Sequence, residues 1–268
     1  MIRKISLICS LCMAGCSTPA DKAARPEVDV VSIYTRASVR FSDAVLFKPT
    51  EPATPNLLFN LAPLIILQVS GTNLLPQLAD GLLGTAGSGT NQRPLVHAWA
   101  DTVQIQGRAH ARFNYVWDHD PAVKVKTAAN QRQGVSITLG SNGQPMIWEV
   151  LEDTSRLAII VVSESLEQRA VAAFGLPLPG RQFSVEAATN ASPETLVMRV
   201  IDDGPVVMGP IVYLSKGTRD VATIICRCMP AQAGNLVDTR VYDLLPLPGP
   251  SGAWSKASLD TRLRLPEF

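Results

Sequence analysis

The chain has 268 residues, of which 46% are hydrophobic and 18% charged, with 24 Lys+Arg against 23 Asp+Glu. So even a balance argues against nucleic acid or another polyanion as partner, because binding a phosphate backbone needs a concentrated positive field. The apolar fraction suffices for a sizeable core, and five cysteines, three of them within the first sixteen residues, do not make a disulfide framework.

The N-terminus begins with Arg3 and Lys4, continues with Ile5 to Met13, apolar apart from Ser6 and Ser10, and reaches Ala14-Gly15-Cys16. A basic start, an apolar stretch of about ten residues and small residues before a cleavage point make a secretory signal over residues 1–15. The stretch is too short for a spanning helix, which needs about 20 residues. A cysteine directly after Ala14-Gly15 resembles the lipobox of bacterial lipoproteins, a resemblance confined to residues 1–16. It implies cleavage before Cys16, a lipid on its thiol and acylation of its amine. Ser17 after the cysteine, in place of Asp, resembles the sorting pattern for the outer membrane. The resemblance thus implies a cell-envelope protein, held by its lipid on the periplasmic face of the outer membrane. Loss of Arg3 and Lys4 leaves 22 basic against 23 acidic residues. Export also places Cys226 and Cys228 in an oxidising compartment.

Residues 17–30 are small, polar and proline-bearing, and with Cys16 they read as a tether. Residues 31–268 read as one globular β-rich domain. Val31 to Phe47 has the Val, Ile, Tyr and Phe content of one or two strands. Pro52 to Ala79 carries no charge over 28 residues, but its four prolines and Asn60, Gln68, Asn73 and Gln77 argue against a membrane span. A buried helix or strand plus loop remains, as does a surface-lying or partner-facing segment. The glycines at 81, 84, 87 and 89 lack the spacing and lysine of a phosphate loop and read as a plain loop.

Thr102 to Trp117 alternates. Ala109, Ala111, Phe113, Tyr115 and Trp117 share one face of a strand, and Arg108, His110, Arg112 and Asn114 the other. Gly107 marks either a bulge or a hairpin turning at Gln106-Gly107. Gly134–Leu139 and Met146–Leu151 flank Asn142-Gly143, a hairpin signal. Leu157–Val162 reads as a strand buried on both faces. Ser163 then caps a helix over about 163–174, with Glu164 and Glu167 in its first turn and Gly175 as its stop. Phe183–Ala187, Leu196–Ile201, Val206–Leu214, Val221–Cys228 and Val241–Leu245 read as further strands. The expected class is α+β: a β-rich domain of mostly antiparallel strands with one clear helix.

Motifs for chemistry are sparse. The sequence contains no GxSxG elbow, no SxxK with KTG and no HExxH, and only three histidines. Asp118-His119-Asp120 could bind a divalent metal or exchange protons. On an extended chain, however, His119 points away from both carboxylates, and Pro121 suits a solvated turn. His97, Trp99 and Asp101 share one strand face and could line a ligand pocket, or could be satisfied, partly buried groups. Cys226 and Cys228 fall on the parity of Ala222 and Ile224, so a regular strand turns them inward as small hydrophobes. Their Cβ atoms would stand about 6.6–6.8 Å apart, where a disulfide needs about 3.5–4.5 Å. A Cu(I) clamp with Met229 requires the chain to turn at Arg227.

The expectation is a lipid-anchored, non-enzymatic binding or assembly module with an envelope protein as partner and no cofactor. Two alternatives stand beside it. One is a metal- or thiol-handling protein using Asp118, His119, Asp120, Cys226 or Cys228. The other is a small-ligand binder or hydrolase around His97, Trp99 and Asp101.

Overall fold

A computed structural model of the chain describes residues 44–68, 93–118, 132–151, 157–188, 195–215, 220–228, 239–247 and 258–267. Among these residues, eleven strands join in one sheet. They are β1 (Ala44–Pro49), β2 (Leu64–Gln68), β3 (Leu95–Ile105), β4 (Arg108–Asp118), β5 (Arg132–Leu139), β6 (Pro145–Leu151), β7 (Ala158–Ser163), β8 (Thr195–Ile201), β9 (Gly209–Leu214), β10 (Val221–Cys228) and β11 (Thr239–Pro246). Helix α2 (Glu164–Phe174) is the one long helix among them, while α1 (Leu57–Asn60) and α3 (Leu259–Arg262) are single turns.

The spatial order is β10-β9-β2-β1-β11-β3-β4-β5-β6-β7-β8. Six of the ten pairings are antiparallel, as expected; β1–β11, β11–β3, β2–β9 and β7–β8 are parallel. β11 is shared. Its residues Thr239–Tyr242 pair with β1, and Asp243–Pro246 pair with β3. The sheet is nearly closed, and Arg199 of β8 donates to Thr223 Oγ1 of β10 at 3.2 Å across the closing gap.

Strand alternation decides what lies inside. Phe113, Tyr115 and Trp117 of β4 join Val135, Ile137 and Leu139 of β5, Trp148 and Val150 of β6 and Phe47, Leu67, Val212 and Tyr242 in one core. Two phenols tie this core to the α1–β2 connection: Tyr115 donates to the Leu58 carbonyl at 2.7 Å and Tyr242 to that of Pro63 at 2.8 Å. Burial pushes both hydroxyls well above the usual tyrosine value.

The hairpin between β3 and β4 turns at Gln106 and Gly107, both at positive φ (50° and 75°), which decides between bulge and turn. Positive φ at both central residues is the type I′ geometry that matches the twist of paired strands. Asn142-Gly143 likewise turns the β5–β6 hairpin, with Gly143 at φ 74°. The uncharged stretch from Pro52 contributes α1 and β2 as far as Gln68; the rest of it, the glycine-rich loop and the 31–43 strand reading lie outside the described residues.

α2 forms where the sequence places it. Ser163 Oγ accepts from the Leu166 N–H at 3.3 Å, two glutamates favour the positive end of the helix dipole, and Gly175 at φ 77° ends the helix. Leu166 and Ala170 pack with Ile160, Val162 and Val197 on the outer face of the sheet, and Leu259, Leu263 and Leu265 of the C-terminal segment join them.

Phe183–Ala187 is not a strand. Its backbone N–H groups go to carboxylates: Glu186 Oε2 accepts from Gln182 and Phe183, and Glu167 accepts from Ser184 and Val185. A single bridge, Glu186 to Leu263, is its only ladder contact among the described residues.

Candidate functional site

The outer face of β3–β6 carries the polar cluster of greatest interest. Because alternate residues of these strands fill the core, the intervening ones align in rows outside it. Register places Trp99, Asn114, Ser136 and Glu149 in one row and Asp101, Arg112, Thr138 and Ile147 in the next.

Two ion pairs span the face. Arg112 donates Nε–H and Nη2–H to the Asp101 carboxylate at 2.8 and 2.7 Å, a two-pronged geometry, and Asn114 adds a bond to Asp101 at 3.3 Å. These bonds from Asp101 hold the Arg112 guanidinium above its usual value, with Glu149 adding to the pull. Deeper in, Arg262 of α3 donates to Glu149 at 2.5 Å, with side-chain exposures of 8% and 5%. The face is therefore charge-neutral, half-open at Asp101–Arg112 and covered at Glu149–Arg262 by the C-terminal segment. That segment is held by further bonds, from Gln106 N to Asp260 and from Gln106 Nε2 to the Leu265 carbonyl.

Between the two pairs lie Ser136 and Thr138, fully covered, whose hydroxyls have no hydrogen-bond partner. Ser136 is not placed as a nucleophile. It stands opposite Asn114, four residues along β4 from His110, a separation of about 14 Å, and about 12 Å from His97 two strands away. The His110 ring is held elsewhere, its Nδ1 3.0 Å from the Leu139 carbonyl, and a carbonyl can only accept. Paired charges with uncommitted hydroxyls suit hydrogen-bonded recognition better than proton transfer.

His97, Trp99 and Asp101 do share one strand face. Trp99 is packed, however, against Val116, Leu151 and half-buried Leu247, so its indole is a packing group and not an open platform. His97 is half-buried, with Nδ1 lacking a partner. Asp101 belongs to the Arg112 pair. Asp118, at the end of β4, is bound by its cross-strand neighbour Arg132, with Nε at 2.7 Å and Nη2 at 3.2 Å. This bond raises the Arg132 value, and any ion at Asp118 would have to displace that guanidinium. His119 and Asp120 lie outside the described residues, as does Cys16.

For Cys226 and Cys228 the backbone revises the parity argument. β10 has register irregularities against β9 between Val221 and Thr223 and between Ile224 and Arg227. Ile224 stands opposite Val212 and Arg227 opposite Pro210, so three steps on β10 match two on β9. An extra residue of this kind breaks alternation. Ala222, Ile224, Cys226 and Cys228 therefore do not form one regular face, and the side chains of Cys226 and Cys228 lie outside the described residues.

Sequence reasoning had Arg112 and Asn114 on a polar face but missed Ser136, Thr138, Glu149 and Arg262. For the first three a signal was present, as polar residues inside otherwise apolar strands, VSITL and MIWEVL; Arg262 had none. Among the described residues, no helix is long and apolar enough to cross a membrane. Compared with known proteins, the chain matches no protein-family model, no curated protein and no solved structure.

Proposed function

We propose that this chain is a lipid-anchored protein of the bacterial cell envelope that acts as a non-enzymatic binding or assembly module. One observation carries the anchoring: Ala14-Gly15-Cys16 directly follows a basic start and a short apolar stretch. Residues 16–30 serve as the tether and Cys16 as the lipidated residue. The recognition role draws support from the outer polar face, where Asp101 and Arg112 stay half-exposed while no histidine reaches Ser136.

The test is fractionation of the full chain and a Cys16→Ala variant from a bacterial host. The unsubstituted protein should sediment with membranes and carry acyl mass on its Cys16 peptide, and the variant should be released. A variant that remains with the membranes overturns the anchor. For the recognition role, Arg112→Ala should reduce by at least severalfold the envelope proteins that co-purify with the full chain, without releasing it from membranes. Unchanged co-purification would rule out this face.

A further inference from the structure

Three large apolar side chains crowd one exposed stretch: Val171 at 43%, Phe174 at 38% and Leu176 at 84% exposure. The first two lie on the last turn of α2, and Leu176 follows directly in the loop Gly175-Leu-Pro-Leu-Pro-Gly180. Contiguous exposed apolar groups mark an interaction site, whereas scattered ones need no explanation.

This tip is held rigid. Gly175 and Gly180 both take φ 77°, and prolines 177 and 179 fix the backbone between them. Ser184 Oγ donates to the Gly175 carbonyl at 2.7 Å, and the Arg181 N–H donates to that of Leu178 at 2.9 Å. Arg264 donates to the Phe174 carbonyl at 3.3 Å and sets its guanidinium 4.6 Å over the Phe174 ring. Leu176 is therefore presented, already ordered, at the end of a convex loop.

We infer that this tip docks into a phospholipid surface, with Leu176 and Phe174 among the acyl chains and Arg264 at the level of the phosphates. The inference rests on the lipid-anchor reading above. The chain between Cys16 and Ala44 spans at most about 100 Å, so an anchored protein keeps the leaflet within reach of this face. A bilayer conforms to a convex apolar tip without a matching pocket, and an apolar group flanked by a cation is the usual composition of an interfacial contact. Of the two glutamates of α2, Glu164 lies at the far end, about 15 Å away and beyond a Debye length of about 10 Å, and Glu167, which is nearer the tip, has its carboxylate engaged by the Ser184 and Val185 N–H groups.

The test uses the full chain, purified with its lipid and reconstituted into vesicles of phosphatidylethanolamine and phosphatidylglycerol. A photo-crosslinking p-benzoylphenylalanine is placed at position 176 or, as control, at exposed Asn142. A phospholipid adduct severalfold more abundant at 176 than at 142 supports the inference. A crosslink to a protein or to a second copy, equal adducts at both sites, or no adduct overturns it. Hydrogen exchange on the unsubstituted chain gives a reading free of variants. Amides 171–180 should exchange severalfold more slowly on vesicles than in detergent, and equal rates overturn the inference. The acyl mass of the Cys16 peptide separates the two ideas: lipidated chain without an adduct at 176 sinks only the docking face.

Discussion

The buried pair between Glu149 and Arg262 makes the sharpest prediction about how the polar face is closed. Glu149 is surrounded in its layer by Ile147 and Ile160, and Arg262 by Leu259 and Leu263. With side-chain exposures of 5% and 8% and a 2.5 Å contact, neither charge has access to much water. Removing one partner leaves the other buried without its main counter-charge, a change that costs about 3–5 kcal/mol, while replacing both with leucine is close to neutral. Glu149→Leu and Arg262→Leu should each lose roughly that amount, and the double variant less than about 1 kcal/mol, giving a large favourable coupling. An upper limit applies, because the 258–267 segment can lift away and expose the stranded charge; a single variant cannot cost more than undocking does. Urea unfolding followed by tryptophan fluorescence measures all four free energies at constant m. If both single variants cost under about 1 kcal/mol, or if the double variant costs the sum of the singles, the C-terminal turn is not seated on Glu149 as described.

Two further outcomes follow. Burial raises the Glu186 carboxyl above its ordinary value, against the pull of three backbone N–H donors and Arg181. The folded state then holds that proton more tightly than the unfolded chain. Its contribution to stability is complete below the ordinary carboxylate value and is lost as pH rises through the raised one. Glu186→Gln should flatten this fall in urea-measured stability just above pH ~4.5, and an unchanged slope would contradict the assignment. Gly134→Ala places a methyl 2.2 Å from the Tyr115 carbonyl and 2.9 Å from Val116 Cγ2, contacts that only a backbone shift between β4 and β5 relieves. The variant should lose at least about 1–3 kcal/mol in thermal or urea unfolding, and a neutral effect would mean the two strands are farther apart.

Local chemistry made much of the fold legible. Asn142-Gly143 named its hairpin, Ser163 and Gly175 bounded α2, and period two in residues 109–117 separated Tyr115 and Trp117 from Arg112 and Asn114. Each of those signals acts over a few residues. Where a partner lies far along the chain, sequence spacing carries no trace of it. Glu149 and Arg262 are 113 residues apart, and nothing near either announces the other. Phe183–Ala187 has strand-like composition, yet the carboxylates of Glu167 and Glu186 take its N–H groups before a strand can. The parity argument at Cys226 and Cys228 assumed a regular strand, and irregular pairing with β9 removed that premise. Trp99 was ambiguous for another reason: an indole on an outward face can be a platform or a plug, and only the presence of Val116 and Leu151 decides it.

The position of β11 also sets a timetable. Among the described residues it is the last strand of the sheet in chain order, and it lies in the middle, parallel to both β1 and β3. Until residues 239–246 are available, β1 and β3 each present an unpaired edge, and the two parts of the sheet have no common strand. Joining β1 to a partner almost 200 residues away requires a long loop closure before any reward, which makes sheet completion slow. A chain that stops short of Thr239 would hold two exposed edges side by side, the condition under which strands pair with other molecules. Assembly of this sheet is thus a late event, completed only when residues 44–246 are present at once.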